Sequence, residues 1–223
     1  KTHPSFKFTA LFNENIFSKE SSLGLHQINE FSPKILMGSS VSNKSYIGLA
    51  LKESNSLSEI DKWKKMSNYY TMISPEGEGQ VLKLPFLNSP IVKHRLTKND
   101  YYQIHKGIYL LAKLLFESGA VKLYPSINKS LIINKLEDIY KLRIIPNKYL
   151  KLMTIHLFSS VQLSGNKNQG PLSPEGNLWD DKSIYVSDSS MLIDSPTVNP
   201  QGIIMAIARM NAMKFLNRLD SEI

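Results

Sequence analysis

Apolar and polar positions alternate with period two through Phe6-Lys7-Phe8-Thr9-Ala10-Leu11-Phe12, as they do in a strand with one buried face. The same pattern predicts strands over residues 25–31, 46–51 and 69–73. A turn at 75–79, followed by the apolar run 80–84, predicts a hairpin, and 90–94 offers one more strand. The period then changes. Tyr101, Ile104, Ile108, Leu111 and Leu115 recur at steps of three and four and share one helical face. Asn99 or Asp100 can cap that helix, and Gly119 suits the left-handed position that ends it. A second helix is expected from about 129 to 142, before Pro146 breaks the pattern.

The texture shifts after Met153. Residues 164–182 are rich in Gly, Asn, Ser and Pro and read as a long loop. A short strand is expected at Ile184-Tyr185-Val186, running into Asp188-Ser189-Ser190. A long last helix follows, carrying Ile203, Ile204, Ile207, Ala208, Met210, Phe215 and Leu219. It is apolar around most of its circumference and is therefore expected to be buried. The change of texture divides the chain into 1–153, a sheet-and-helix domain, and 154–223.

Composition narrows the function classes. The chain has 223 residues, of which 42% are hydrophobic and 21% charged, enough for a real core. It has no Cys, which excludes disulfides, thiolate zinc sites, Fe–S clusters and a thiol nucleophile. No apolar run reaches the length of about 18 residues that a membrane-spanning helix needs, and no charged segment with a following apolar run opens these residues, so no signal peptide is expected among them. The expectation is a soluble, cytoplasmic protein, although no residue fixes the compartment. The net charge of +8 invites a nucleic-acid reading. Only Arg95, Arg143, Arg209 and Arg218 supply forked donors, however, and the lysines are scattered, so no nucleic-acid partner is expected.

No glycine-rich phosphate loop, HExxH or GxSxG motif occurs. The histidines are His3, His26, His94, His105 and His156, and none forms a ligand pair at helical spacing, so no metal is expected. His3, His26, His94 and His105 read as structural. His156 lies in the apolar run Met153-Thr154-Ile155-His156-Leu157-Phe158 that opens onto the long loop; a packed histidine and a catalytic one both fit. Asn199-Pro200 make a good helix start, with a cap followed by a first-turn proline. The same helix end, with its free N–H groups, can hold an anionic group.

The order of these pieces resembles the C-terminal region of the glucose–methanol–choline (GMC) family of flavin oxidoreductases. A histidine in an apolar run precedes a loop, then Tyr185-Val186-Ser187-Asp188-Ser189-Ser190, then Asn199-Pro200-Gln201-Gly202, then the Ala-rich helix at Ala206-Ile207-Ala208-Arg209. Upstream, His3 to Phe12 is similar to the strand that opens the family's substrate domain, and 69–84, 96–100 and 114–120 match further stretches of it. Two departures stand out. Ser159-Ser160 follow His156 where the family usually has Gly-Thr nearby, and Ser189 follows Asp188 where Ala is commoner. The family's N-terminal dinucleotide-binding segment has no counterpart in these residues, so the resemblance implies a C-terminal portion of a longer protein, or one chain of a split one.

The resemblance implies an α+β chain, α/β in the full protein. It implies an antiparallel substrate-domain sheet with helices on one side over 1–153, and the C-terminal strand and long helix of an FAD-binding domain over 154–223. It implies FAD as cofactor, a small alcohol as substrate, and an electron acceptor that the sequence does not name. His156 matches the family's catalytic base and Asn199 the residue that holds the substrate oxygen; Asn cannot take a proton at neutral pH, which leaves His156 as the single base. Asn199, Pro200, Gln201 and Gly202 match the flavin's pyrimidine edge, and Asp188 and Ser189 its ribityl–phosphate portion. The missing dinucleotide-binding segment would come from the longer protein or from a partner chain. A flavin-free structural or interaction subunit, and a basic binding module, are the alternatives.

Overall fold

The computed structural model describes residues 1–17 and 26–222, with side chains as far as Asn217. Strand β1 (Ser5–Phe12) forms where alternation predicts it and lies inside a five-stranded antiparallel sheet. Its neighbours are β4 (Met66–Ile73) and β7 (Ala120–Pro125), with β3 (Ile35–Ser40) and the two-residue β2 (Gln27–Ile28) beyond β4, in the order β2-β3-β4-β1-β7. Phe6 pairs with Thr71 and Leu11 with Met66. Because side chains alternate along a strand, Phe6, Phe8 and Ala10 take one face while Thr9 and Leu11 take the other.

Helix α2 (Lys98–Glu117) covers the first face. Ile104, Ile108, Leu111 and Leu115 are its buried stripe, as their spacing requires. Gly107 lets the helix come close: a Cβ there would meet Thr71 Oγ1 at 2.5 Å and Ile35 Cγ2 at 3.3 Å. Gly119 ends the helical segment with φ +94°. The cap is Thr97 rather than Asn99 or Asp100. Thr97 Oγ1 accepts from the Asp100 N–H at 3.0 Å, and the Asp100 carboxylate accepts from the Thr97 N–H at 2.8 Å.

The opposite face is covered by α1 (Lys44–Glu53), at residues where alternation predicts a strand. Asn43 caps it by accepting from the Tyr46 N–H at 3.0 Å, and Ile47 and Leu51, one turn apart, pack with Leu11, Met66 and Tyr124. That four-residue spacing outweighs the alternation, and helices therefore lie on both faces of the sheet. Together, Pro4–Glu76 and Thr97–Met153 make one compact unit.

The second unit comprises Lys1–His3, Gly77–Leu96 and Thr154–Ile223. The expected hairpin is shifted here. Both edges of β4 are taken by β1 and β3, so β5 (Gly79–Leu82) pairs instead with β6 (Ile91–His94). Residues 164–182 contain no helix or strand, as the composition predicts. Tyr185 makes one isolated bridge to Asn177, closed by the Leu178 N–H to the Ile184 carbonyl and the Val186 N–H to the Gly176 carbonyl, each 3.0 Å; the pairing goes no further, so no strand forms at 184–186. In the first unit, the helix expected at 129–142 is reduced to 3₁₀ turns over Leu136–Ile144, since Ile133 is drawn into paired main-chain bonds with Leu123.

The last helix, α3 (Gln201–Glu222), forms but is not buried. Met205, Met213 and Leu216 are all more than half exposed, and among its described side chains only Asn211 is buried. Asn211 Nδ2 donates to the Val186 carbonyl at 2.9 Å, and Gly176, at φ +87°, packs its bare Cα against the same side chain. The helix is also held by Phe215, whose ring meets that of Tyr185 edge to face at 5.2 Å, and by Lys214 Nζ, which donates to the Pro174 carbonyl at 2.7 Å, while most of its apolar positions stay open.

Candidate functional site

The chain start returns to the segment after Met153. The Lys1 carbonyl accepts from the Phe158 N–H at 2.9 Å, and Thr2 bridges to Leu157. This short pairing places His3 against His156, 153 residues later in the chain. Their Nδ1 atoms are 3.0 Å apart and their rings meet edge to face, centroids 5.1 Å apart at 87°. Phe158 packs on the His3 ring at 4.8 Å. His3 is 1% exposed, whereas His156 is half-buried.

Two further contacts fix the pair. His3 Nε2–H donates to the Pro196 carbonyl at 2.6 Å. The main-chain N–H groups of His3 and His156 both donate to Thr154 Oγ1 at 3.2 Å, so one hydroxyl ties the two backbones together. Burial lowers both imidazoles. His3 is held down at about 4, chiefly by burial, with the neighbouring His156 adding to the effect and the Pro196 carbonyl opposing it. His156 is lowered by burial alone. Both rings are therefore neutral near pH 7, and a neutral imidazole is the form that accepts a proton.

Pro196 begins the short run into Asn199-Pro200. Asn199 is half-buried and Pro200 buried directly before α3, whose hydrogen bonding begins where the Ile204 N–H donates to the Pro200 carbonyl at 3.0 Å. Gln201 and Gly202 are exposed in the first turn, and nothing stands within 4 Å of where a Gly202 Cβ would sit. Main-chain N–H groups in a first helical turn have no acceptor within the helix, so this end presents donors and a positive dipole.

Asp188 and Ser189 are turned to local work. The Asp188 carboxylate accepts from the Ser190 N–H at 2.7 Å, capping a single 3₁₀ turn, and Ser189 Oγ donates to the Leu157 carbonyl at 2.7 Å. Ser189 is thereby bound to the residue next to His156. The segments carrying His156 and Asp188-Ser189 also share main-chain bonds, Val161 N–H to the Ser190 carbonyl and Leu163 N–H to the Met191 carbonyl, each 3.0 Å.

Sequence reasoning set His3 aside as structural and passed over Thr154, Phe158 and Pro196. Nothing local to Lys1-Thr2-His3 marks that histidine, because its partners lie more than 150 residues away. Of the other histidines, His94 Nε2 lies 3.2 Å from Oγ1 of Thr2, the residue before His3, and His105 Nε2 lies 2.8 Å from Asn147 Oδ1. His26 lines a mainly apolar cleft of about 550 Å³ in the sheet-and-helix unit. Among the described residues, no three His, Asp or Glu side chains converge as a metal site.

The family model described as GMC oxidoreductase matches residues 85–208. An uncharacterized GMC-type oxidoreductase of Sinorhizobium fredii is 32% identical over 212 residues, 93% of this chain and 42% of that protein. A long-chain-alcohol oxidase of Arabidopsis thaliana is 23% identical over 161 residues, 66% of this chain and 20% of that protein. The fold is similar to that of pyridoxine 4-oxidase from Mesorbium loti, with a TM-score of 0.59 at 11% identity over 97% of this chain and 43% of that one. It is also similar to the formate oxidase of Aspergillus oryzae, with a TM-score of 0.57 at 15% identity over 99% and 47%. The chain spans less than half the length of each of these proteins.

Proposed function

The chain belongs to the GMC oxidoreductase family, and from that premise we propose that it carries the proton-transfer and substrate-orienting part of a flavin-dependent oxidation of an alcohol to a carbonyl. The observation that carries the reading is the half-buried His156 with its Nδ1 held 3.0 Å from the Nδ1 of a fully buried histidine. An alcohol cannot release a hydride easily while it keeps its hydroxyl proton. A neutral imidazole within hydrogen-bond reach removes that proton, a contribution of about 10²–10⁴-fold in rate. Asn199 orients the same oxygen through its amide and takes no proton.

The residues present fit a flavin. The first turn of α3 offers main-chain donors at Gln201 and Gly202 with open space around the glycine, which suits the anionic pyrimidine edge. Each such interaction contributes roughly 0.3–2 kcal/mol. Asp188 and Ser189 would meet the ribityl–phosphate portion through their main-chain N–H groups, since the carboxylate is already an acceptor for Ser190 and should avoid phosphate. FAD, when bound, supplies the acceptor for the departing hydride. The dinucleotide-binding portion would come from residues outside this chain or from a partner chain. On this reading, 154–223 belongs to the FAD-binding domain, and Pro4–Glu76 with Thr97–Met153 to the substrate domain, where the choice of alcohol would be made.

In the complete protein, His156→Ala should lower turnover by about 10²–10⁴-fold with flavin absorbance unchanged. Near-normal turnover would overturn the assignment. The exposed apolar side of α3 favours one rival, a flavin-free chain with the same fold that serves as an interaction subunit. A visible absorbance spectrum of native material, with a denaturing gel beside it, separates the two. Flavin absorbance supports the oxidoreductase, and a colourless folded protein supports the rival.

A further inference from the structure

We propose that His3 is the positioning residue of this site: it fixes the neutral His156 ring with its hydrogen on Nδ1, leaving Nε2 as the bare, proton-accepting nitrogen. The proposal rests on the reading of His156 as the base and adds which of its nitrogens acts and why.

The argument starts from the one partner whose role is not in question. A carbonyl oxygen can only accept, so the 2.6 Å contact between His3 Nε2 and the Pro196 carbonyl requires the hydrogen on Nε2. A neutral imidazole has one ring hydrogen, so His3 Nδ1 carries a bare lone pair. That lone pair faces His156 Nδ1 at 3.0 Å. Two bare nitrogens at this distance would repel, so the hydrogen between them belongs to His156. With its single hydrogen on Nδ1, the neutral His156 ring has its basic lone pair on Nε2.

The arrangement also favours the protonated product. A proton added at Nε2 leaves Nδ1–H still donating to His3, and a bond from a charged donor is stronger than one from a neutral donor. His3 thus does for His156 what a buried carboxylate does for the histidine of a hydrolytic triad, without bringing a negative charge. Its own neutrality follows from its surroundings. It is sealed under Phe158, and the burial that holds its proton affinity down keeps it an acceptor at neutral pH. The same ring reaches the other half of the site, since Pro196 stands three residues before Asn199. Thr154 completes the frame by receiving the main-chain N–H groups of both histidines.

Two-bond ¹H–¹⁵N correlation spectra of the complete protein, labelled with ¹⁵N at histidine, read the tautomer of each ring directly. The His156 signals are assigned by their loss in His156→Gln. The expected result at pH 7 is hydrogen on Nδ1 in His156 and on Nε2 in His3. Hydrogen on Nε2 of His156 overturns the proposal whatever the kinetics show. Variants then test its consequence. His3→Leu removes the acceptor, and should give His156 a mixture of tautomers and lower kcat roughly 10–100-fold with little change in KM. His3→Asn keeps an amide oxygen near the Nδ1 position, and should restore most of kcat and the Nδ1–H signal. Unchanged kcat and tautomer in His3→Leu would also overturn the assignment. Near-normal turnover in His156→Gln would remove the base reading alone, because the wild-type tautomer is read without turnover.

Discussion

In the sheet-and-helix unit, β1 is bonded along both edges, to β4 and β7, and Phe6, Phe8 and Ala10 disappear beneath α2. In the unit that carries His156, the chain between Thr154 and Pro200 contains one 3₁₀ turn and no strand. It is held by single bonds instead. Ser164 Oγ lies within hydrogen-bond distance of the carbonyls of Asn166, Gly170 and Leu172 and accepts from the Trp179 indole N–H at 3.1 Å; Ser173 Oγ donates to Asn177 Oδ1 at 2.8 Å. The first region derives its order from a broad apolar core and repeating main-chain ladders, the second from a few buried apolar side chains, Phe158, Leu172, Met191 and Leu192, from scattered main-chain bonds, and from side chains that satisfy particular main-chain groups. A catalytic constellation gains from the second kind of order. Individual polar bonds can hold a ring in one orientation, which apolar packing does less selectively.

The largest effect that would sharpen this contrast is on stability. Leu51 is fully buried against Ile47, Leu11, Met66 and Tyr124, and Leu51→Ala should cost about 2–5 kcal/mol. Ile155, beside the proposed base, is 79% exposed, and Ile155→Ala should stay within about 0.5 kcal/mol. Chemical denaturation of both variants checks the pair. Equal costs would show that the exposed Ile155 side chain supports the fold as strongly as the buried core.

The division also explains what the sequence made legible. Periodicity is a local signal, so β1, β4 and α2 could be read from their own residues. It failed where two patterns overlapped. Residues 46–51 alternate, yet Ile47 and Leu51 also lie one turn apart, and the capping Asn43 decides for the helix. It failed again for α3, whose apolar residues suggest burial while, among the described side chains, only Asn211 is buried and Phe215 and Lys214 hold the helix from partly exposed positions. Of the candidate site, His156 and Asn199-Pro200 were legible through the order of pieces along the chain. His3 was not, because its significance lies in contacts with Pro196 and His156 that no spacing rule links.

Acid should distinguish the two regions by a smaller but directional effect. The unfolded His3 ring takes a proton below its ordinary value of 6.5, whereas the folded ring resists protonation down to about 4. Between those values the unfolded state binds more protons, so stability rises with pH through this window. The contribution is fully present above about pH 6.5, declines as the pH falls, and levels off below about 4. His156, also lowered by burial, acts in the same direction. Thermal unfolding followed from pH 7 to 4 should show the decline in wild type and a shallower one in His3→Asn. An identical slope in both would mean that the buried pair does not set the acid response.

The smallest effect concerns a boundary inside the regular region, where the sequence and the structure choose different residues. Asn99 and Asp100 are both good capping types, but the helix starts one turn earlier in its bonding. Thr97 Oγ1 accepts from the Asp100 N–H, and the Asp100 carboxylate returns the favour to the Thr97 N–H while also accepting from the Glu76 N–H at 2.8 Å. Asn99 instead points its amide at the Glu76 carboxylate in an exposed contact of 2.6 Å. Thr97→Ala should therefore cost about 1 kcal/mol, the usual value of a lost N-cap, and Asn99→Ala only a few tenths. Asp100→Ala should exceed both, because Asp100 is buried and its loss leaves two main-chain donors without their acceptor. If Asn99→Ala proved the costliest of the three by urea denaturation, the capping box would be wrongly placed, and even the regular unit would owe its helix start to a residue on its surface.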